Sequence, residues 1–489
     1  MLTVLLIFWP LIAALIIIAL KEHSRTIALF ASLVELIIAL VVAFSFVPNE
    51  VVQFAVNVPW IQSIGVHFNV GIDGISLLLV LLTTGLVPFI ILSSFNNSYK
   101  NPHTFYCLIL LMQMALVGVF VALDGFLFYL FWEMALIPIY FICLIWGGED
   151  RGRITLKFFI YTLAGSLVML IGLVYLYFHT LGTHTFEIQA LYEAGRSLTP
   201  FEQGILFWAF FVAFAIKMPV FPFHTWQPDT YTVSPAQGTM LLSAIMLKMG
   251  IYGVIRWLIP VVPLGVQAWG LTAIILSVVG IVYASIIALM QKDFKRLIAY
   301  SSIAHVGLIS AGIFTLSKMG IQGAMVQMVS HGIVVFALFY VVEIISQRAK
   351  TREINQLGGI RHQAPILSSV FLVILLGSIA LPFTSGFVGE FLLINSLVSY
   401  QLTIGAIAGL TTILGAVYML RSFQQSMLGE TNVVTATILD LTSQEKFVLY
   451  PIVVLIVVIG IYPAPLLKIS EAAVNNLLTI VSNYLALAN

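Results

Sequence analysis

The sequence predicts an all-α polytopic membrane protein with about 14 transmembrane helices, arranged as two inverted repeats that each contain a discontinuous helix. Of its 489 residues, 61% are hydrophobic and 8% are charged, and the mean hydropathy is +1.09. A soluble domain of this length cannot bury so much apolar surface. Apolar runs long enough to cross a bilayer recur along the chain, and two of them are interrupted by proline. Because the net charge of +1 creates no broad basic field, we expect no nucleic-acid partner.

Hydropathy and turn residues place the individual spans. They are predicted near residues 2–20, 25–47, 73–95, 104–122, 124–146, 155–179, 204–232, 236–260, 266–290, 297–316, 319–347, 366–400, 402–425 and 446–463. We expect residues 2–20 to remain as the first helix, because this run lacks the basic leading region and the small-residue cleavage site of a signal peptide. The whole chain is predicted to be one membrane domain, with repeats at 104–260 and 266–425 and a C-terminal helix and tail at 446–489.

Lysine and arginine residues are divided unevenly between the two ends of the predicted spans. If alternate loops from Lys21 onward share one face, that face, named the basic face below, holds 15 of the 21 cations and the opposite face holds four. The positive-inside rule then makes the basic face cytoplasmic and puts both termini on the outer side. The two remaining cations, Lys217 and Lys248, fall inside spans.

Two of the predicted spans are too long and contain helix-breaking residues. These residues are Pro219, Pro222 and Pro228 in the first broken span and Pro382, Gly386 and Gly389 in the second. Paired broken helices that run in opposite directions are typical of inverted-repeat transporters, in which exposed backbone lines a polar cavity at mid-membrane. Proline kinks that only shape the fit between helices are the alternative interpretation.

Ionisable side chains recur at the predicted mid-depth of the membrane. Glu133, Lys217, Lys248 and His331 lie midway along their spans, and Glu390 follows the second break directly. Each charge at the bilayer centre costs roughly 2.5–3.5 kcal/mol, so these groups are expected to face one another or water. A row of carboxylates, ammoniums and imidazoles at one depth is what a proton relay requires, because each group can exist in a charged or a neutral form.

A simpler interpretation remains open for each member taken alone. Glu133 could be a neutral buried acid, Lys248 could snorkel along its own helix, and His331 could be a hydrogen-bonded core histidine. His305 lies close to the basic loop before its span, so it either admits protons toward mid-membrane or packs between helices.

Lys217 is the strongest single candidate for the relay. Pro219 and Pro222 are predicted to leave the carbonyls of Ala215 and Met218 without helical donors, which would give the ammonium polar neighbours.

The remaining acids are assigned lesser roles. Glu35 lies mid-span in the second helix, where we expect only a contact with a partner chain. Acids near span ends are predicted to cap helices or anchor loops. They are Asp73, Asp124, Asp229 and Glu343.

The sequence contains no motif for a nucleotide, a metal or a redox centre, such as GxxxxGK[ST], CxxC, HExxH or GxGxxG after a strand. Its two cysteines, Cys107 and Cys143, lie in apolar runs without a second ligand at a metal-binding spacing, so we expect inert thiols and no cofactor in this chain.

Several segments resemble the antiporter-like subunits of proton-pumping NADH:quinone oxidoreductase, respiratory complex I. The resemblance covers roughly residues 65–430, and it is carried by GIDGISL, FWEMALIP, KMPVFPFHTWQPD, SPAQGTMLLSAIMLKMGIYG, QKDFKRLIAYSSIAHVG and SGFVGEF. Within this family the chain is most similar to the M-type members, because Glu390 stands where the L and N types carry lysine. The sequence departs from the family pattern after the proline–aspartate pair, where a histidine and small residues are usual. These positions hold Tyr231, Ser234 and Gln237.

The resemblance implies a role for each mid-depth residue. Glu133 and Lys217 would form the carboxylate–lysine pair of a first half-channel, with Lys248 as the central bridging lysine. His305 and His331 would be the linking histidines, and Glu390 the terminal group of a second half-channel.

The resemblance also implies partners and a location. Flavin, iron–sulfur clusters and quinone are expected in partner subunits, and the neighbours in the membrane are expected to be the L and N chains and lipids. The expected location is an energy-coupling membrane, the bacterial inner membrane. A subunit of a multi-subunit cation/proton antiporter or of a membrane-bound hydrogenase remains an alternative, as does a structural membrane subunit without transport.

Overall fold

The computed structural model describes residues 1–488, and helices account for most of them. In chain order the helices are α1 (Leu2–Leu20), α2 (Ser24–Ser45), α3 (Gly74–Ser93), α4 (Pro102–Val121), α5 (Gly125–Trp146), α6 (Arg151–Phe178), α7 (Ile188–Ser197), α8 (Pro200–Lys217), α9 (Gln227–Val233), α10 (Ala236–Leu241), α11 (Lys248–Gly253), α12 (Pro263–Leu289), α13 (Phe294–Ile313), α14 (Lys318–Ala349), α15 (Ile360–Gln363), α16 (Pro365–Ser378), α17 (Ser385–Tyr400), α18 (Leu402–Met427), α19 (Ser443–Ile461) and α20 (Ala464–Ala488). Two π-helical turns, Leu242–Met246 and Val254–Leu258, flank α11. An antiparallel hairpin of β1 (Gln53–Ile61) and β2 (Val66–Ile72) joins α2 to α3.

The predicted number of membrane spans is confirmed. Within the described residues, 13 helical segments are long and apolar enough to cross a membrane, when α10, α11 and the π turns are taken as one span, Ala236–Leu258. Helices α16 and α17, of 14 and 16 residues, together occupy the broken span predicted at 366–400. The chain is therefore an integral membrane protein with a largely helical fold.

Both predicted breaks are present, but not every residue assigned to them causes one. The chain leaves helical geometry between α8 and α9 and again between α16 and α17. Pro228 lies in the first turn of α9, where proline is tolerated, so it belongs to a helix start. The expectation that Ala215 lacks a donor is wrong, because the N–H of Val220 donates to its carbonyl at 2.9 Å.

The glycines of the second broken span were also misassigned, since both lie inside α17. A Cβ at Gly386 would approach the carbonyl oxygen of Gly377 to 2.3 Å. A Cβ at Gly389 would approach the Gln327 Oε1 atom to 2.4 Å. These glycines therefore allow α17 to approach α16 and α14 closely.

The face opposite the basic face carries elements that the hydropathy pattern did not predict. The β hairpin and α7 lie there, and the residues expected to form a C-terminal tail are instead α20. Helix α20 packs against α3 and α14. The Tyr484 hydroxyl donates to the carbonyl of Arg196 at 2.5 Å, and Lys318 pairs with Glu471 at 2.6 Å. The expectation of a tail after the last span was thus wrong.

Two of the predicted capping acids occupy N-cap positions. Asp124 caps α5, and Asp73 accepts hydrogen bonds from the N–H groups of Ile75 and Ser76 at the start of α3. Asp73 also forms an ion pair with Arg256 of the second π turn. Burial alone would raise the pKa of Asp73, but the positive charge and hydrogen bond of Arg256, together with bonds from Ser76, hold that pKa below its usual value. The ion pair therefore ties the start of α3 to the central span.

We predict that Asp73→Asn destabilises the protein, although asparagine preserves the helix cap. The substitution leaves the Arg256 guanidinium buried without its anion, which typically costs about 3–5 kcal/mol. Thermal denaturation of the purified protein measures the effect. The control is Asp229→Asn, whose carboxylate is 32% exposed beside Arg296 and for which we expect a loss below about 1 kcal/mol. Equal shifts for the two variants would contradict the assigned role of the buried pair.

Candidate functional site

Lys248 is completely buried at the start of α11, and its ammonium group has two polar partners. Its Nζ atom donates to the carbonyl of Ser243 at 2.8 Å and lies 3.0 Å from the Nδ1 atom of His331 in α14. The π turn explains the first contact. Because Leu247 donates to Leu242, five residues back, the Ser243 carbonyl is available to the side chain. Lys248 therefore points into the bundle and does not snorkel to an interface.

Three further side chains continue from His331. The rings of His331 and His305 lie 6.0 Å apart between centroids, and the Nδ1 atom of His305 is 2.7 Å from the Oε1 atom of Glu390. Gln327 donates a hydrogen bond to this carboxylate oxygen at 3.3 Å, whereas the His305 contact is short but lacks hydrogen-bond geometry. We name Lys248, His331, His305 and Glu390 the second cluster.

A small cavity with both polar and apolar walls lies against the second cluster. Its volume is about 20 Å³, which accommodates about one water molecule. The two histidines line it together with hydroxyl groups of Ser301, Ser302 and Ser330. The gap between the two imidazole rings therefore adjoins a space that water can occupy.

Glu133 and Lys217, named the first cluster, have fewer direct contacts. The Nζ atom of Lys217 lies 5.4 Å from the centre of the Trp132 ring and has no hydrogen-bond partner among the described residues. The expectation of polar backbone neighbours is thus wrong for this ammonium. The Oε1 atom of Glu133 is likewise without a partner in the described chain, and the two side chains form no direct ion pair. Buried polar atoms in this state require ordered water.

The two clusters meet where α11 crosses the break after α8. A Cβ at Gly250 would lie 2.7 Å from the Phe214 carbonyl oxygen and 3.0 Å from the backbone nitrogen of Met218. Only glycine permits this approach. As a result, the span that carries Lys248 lies against the end of the helix that carries Lys217.

The other candidate acids do not join either cluster. Glu35 is completely buried within the chain, so the expected contact with a partner chain is wrong, and neither of its carboxylate oxygens has a partner in the described part of the chain. Asp229 anchors the start of α9 by ion pairs with Arg296 at 3.0 Å and Lys157 at 3.5 Å. Glu343 caps no helix; it accepts a hydrogen bond from Gln347 at 2.8 Å.

The three positions that depart from the family pattern form a local hydrogen-bonded region. Ser234 lies 3.0 Å from the Sγ atom of Cys143, and Gln237 donates to Ser93 at 3.2 Å. The Tyr231 hydroxyl is buried without a partner among residues 1–488. Both cysteines are free and buried, and the described residues contain no group of three His, Cys, Asp or Glu side chains placed to hold a metal ion.

Two polar contributors to the site were absent from the sequence analysis. The Ser243 carbonyl carried no sequence signal, because a π turn has no simple residue signature. Gln327 could have been found, since it lies four residues before His331 and so on the same face of α14.

A family comparison identifies the fold that holds these clusters. A sequence model described as "NADH:quinone oxidoreductase/Mrp antiporter, TM" matches residues 122–469. The chain belongs to this family. It is 40% identical over 481 residues to NADH-quinone oxidoreductase subunit M of Rickettsia prowazekii (strain Madrid E), with 96% of this chain and 97% of that protein covered. It is also 38% identical to the F(420)H(2) dehydrogenase subunit M of Methanosarcina mazei, with 98% and 97% covered.

A solved structure agrees with the family assignment. A chain of respiratory complex I from Thermus thermophilus with bound NADH superposes with a TM-score of 0.89 at 28% identity, covering 98% of this chain and all of that chain. The predicted resemblance to the antiporter-like subunits of complex I is therefore confirmed.

We predict that Gly389→Ala separates Glu390 from His305. The new Cβ would lie 2.9 Å from the Gln327 Cα atom, so α17 must move away from α14. We expect the contact between the His305 Nδ1 atom and the carboxylate to lengthen beyond about 3.5 Å, a gap that water would bridge. Electron cryomicroscopy of the assembled protein measures the distance. Gly409→Ala is the matched control, because the nearest atom to its Cβ is 4.0 Å away. A preserved contact in the Gly389 variant would refute the prediction.

Proposed function

We propose that this chain is the M-type, proton-translocating subunit of an NADH:quinone oxidoreductase, and that it moves protons while quinone is reduced in other subunits. The observation that carries the proposal is the second cluster, in which four titratable side chains from α11, α13, α14 and α17 lie in sequence inside a membrane domain. Family membership and the full-length similarity to subunit M of Rickettsia prowazekii support the same assignment.

The contacts define how each residue would handle a proton. A charged Lys248 can donate to the His331 Nδ1 atom, or a protonated Nδ1 atom can donate to a neutral amine, so the pair has two protonation arrangements. Rotation of the imidazoles and one water in the adjoining cavity would link His331 to His305. His305 then exchanges a proton with Glu390 across 2.7 Å. When Glu390 is deprotonated, its carboxylate is negatively charged and attracts the next proton.

The first cluster would serve as the other half of the relay. Glu133 stabilises the charged form of Lys217, and loss of that proton is coupled to water in the space around both groups. We assign the first half-channel to residues 104–260 and the second to 266–425, as inverted repeats around the two broken helices.

Energy for transport would come from partner subunits. Moving one charge against a potential of about 150 mV requires roughly 3.5 kcal/mol, and the relay side chains transfer protons without releasing free energy. We place flavin, iron–sulfur clusters and the quinone site in those partners. Large apolar side chains on α2, α6 and α19, including Phe44, Ile171 and Phe447, face outward and suit contacts with lipids and with neighbouring L-type and N-type chains.

The proposed location is a bacterial inner membrane, with the basic face in the cytoplasm and both termini on the outer side. The similarity to an F(420)H(2) dehydrogenase subunit favours one further candidate, a complex with a different electron donor. Purification of the assembled complex decides between them. A flavin and iron–sulfur subunit set that oxidises NADH supports the proposal, and a set that oxidises F(420)H(2) supports the further candidate. Small cation-antiporter chains or a hydrogenase in its place would overturn both.

We predict that Lys217→Ala assembles but pumps at least about tenfold more slowly, equivalent to ~1.4 kcal/mol or more in the transfer step. Alanine removes a titratable group that is buried at membrane depth. Burying such a group costs free energy, so its presence there favours a role in proton transfer. NADH-driven proton uptake into inverted vesicles measures the effect, and native gels report assembly. Lys468→Ala, at an exposed position in α20, is the control. Undiminished pumping by the assembled Lys217 variant would remove this residue from the relay.

We also predict that Glu390→Gln loses pumping, while Glu390→Asp retains part of it. Glutamine preserves the hydrogen bond from Gln327 but cannot bind or release a proton, whereas aspartate can, with a longer contact to His305. The proton-to-electron ratio of each assembled variant provides the measurement. If the glutamine variant keeps the parental ratio, Glu390 is a structural polar group and the relay ends elsewhere.

A further inference from the structure

A large polar cavity opens at the basic face and is not part of either cluster. Its volume is about 900 Å³. Its walls come from the loops between α3 and α4 and between α9 and α10, and from the end of α14. We name this cavity the vestibule. Among its lining side chains are Tyr99, Lys295, Glu343 and Gln347.

The lining of the vestibule includes a buried lysine, Lys295. Its side chain is 4% exposed, yet it has a single hydrogen-bond partner in the described residues, the Ser234 carbonyl at 2.9 Å. An ammonium group has three donors, so two of them are left for water in the vestibule. Glu343 lines the same cavity, and among the described residues it forms no direct ion pair with Lys295. A buried cation at the edge of a hydrated space is poised to exchange protons with that space.

The geometry of α13 connects Lys295 to the second cluster. Lys295, Ile298, Ser302 and His305 are spaced by three, four and three residues, which places them on one face of the helix. The distance along the axis from Lys295 to His305 is about 15 Å, because each helical residue rises about 1.5 Å. Helix α14 runs antiparallel beside it, with Glu343 near the vestibule and His331 beside His305.

The 20 Å³ cavity beside the histidines is lined by residues of this same face of α13. Ile298 lines that cavity, and it lies only one helical turn from Lys295 in the vestibule wall. Leu338 of α14 also lines the cavity. The Ser302 hydroxyl has no protein partner in the described residues, so it is free to bind a water there. Ile298 and Leu338 are thus the cavity-lining residues of α13 and α14 that lie nearest along their helices to the vestibule residues Lys295 and Glu343.

We infer that the vestibule is a proton inlet to the second cluster, with Lys295 as its proton carrier and the layer of Ile298 and Leu338 as a hydrophobic gate. The inference rests on the proposed function and adds a route to it. A proton from the basic face binds Lys295, passes a transient water between the apolar side chains, and reaches His305. Apolar constrictions of this kind close by excluding water and open when they become wet.

The first test replaces the proposed carrier. Lys295→Met keeps the apolar part of the side chain and removes the titratable amine, so we expect proton uptake by the assembled complex to fall at least about fivefold. Lys295→Arg keeps a positive charge and donors for the Ser234 carbonyl but does not release protons at neutral pH, so we expect a similar loss. Lys292→Met is the matched control, an exposed lysine in the loop just before α13.

The results separate this inference from the proposed function. If the Lys295→Arg variant pumps at the parental rate, Lys295 supplies only a fixed positive charge and the proposed proton inlet is refuted. It is equally overturned if Lys217→Ala abolishes pumping while Lys295→Met pumps at the parental rate. If neither substitution affects pumping, the proposed function itself fails.

The second test measures water access directly and does not depend on activity. Cys107→Ala and Cys143→Ala remove the native thiols, and Gln347→Cys or Ser302→Cys then places one thiol outside or inside the gate. Ag⁺ is the probe, and it is added to vesicles of either orientation. The protein is then denatured and alkylated, and a thiol that has reacted with Ag⁺ is recognised because it can no longer be alkylated.

We expect the thiol at position 347 to react at rest from the basic face, and the thiol at 302 to react from that face only during turnover. Adding Ile298→Ser should make position 302 reactive at rest, because a hydroxyl hydrates the gate. Reaction of position 302 only from the opposite face, or no reaction in any state, would overturn the inlet.

Discussion

The hydrogen bonds of the Lys248 ammonium set the arrangement of the membrane interior. A charge at this depth is tolerated only where protein atoms replace the lost water. One such atom is the Ser243 carbonyl, which is available because the preceding turn is π-helical, and another is the Nδ1 atom of His331. The second contact requires α14 to lie against the central span, and α14 in turn places His331 beside His305 and Gln327 beside Glu390. The hydrogen bonds that the buried Lys248 side chain requires therefore fix the position of α14, and α14 brings the other members of the second cluster together.

The two broken helices make this arrangement possible, because they bring backbone close to backbone at membrane depth. Irregular backbone is stable in a bilayer only where it is covered by protein or lines a wet cavity. After α8, the break is covered by Gly250, whose missing side chain admits the Phe214 carbonyl. After α16, Gly386 fits against the Gly377 carbonyl in the same way. Small residues at these contacts are therefore as necessary as the prolines that create the breaks.

Sequence reasoning predicted the features that depend on composition and missed those that depend on a single contact. Apolar runs identified the spans, and the high cost of buried charge identified Lys248, His331 and Glu390 as groups with polar neighbours, whereas Glu133 and Lys217 lack the direct partners that the same argument predicts. The availability of the Ser243 carbonyl and the occupation of the Ala215 carbonyl by Val220 depend on local hydrogen-bond register, which hydropathy does not encode. Helix α20 was missed for another reason. It follows the last span and packs along the surface of the protein, so it does not need the high hydropathy by which membrane spans are recognised.

The two clusters differ in their direct contacts, and this difference bears on where the proposed relay needs water. In the second cluster, the Nζ atom of Lys248 is 3.0 Å from the Nδ1 atom of His331, and the Nδ1 atom of His305 is 2.7 Å from the Oε1 atom of Glu390. A cavity for about one water molecule adjoins the gap between the two histidines. Lys217 and Glu133 form no direct ion pair, so proton exchange between them needs intervening water, and the Lys217 ammonium lies 5.4 Å from the centre of the apolar Trp132 ring. Wetting an apolar space costs free energy, whereas rotating side chains already in contact costs little. In the proposed relay, hydration of the first cluster is therefore the step that requires free energy.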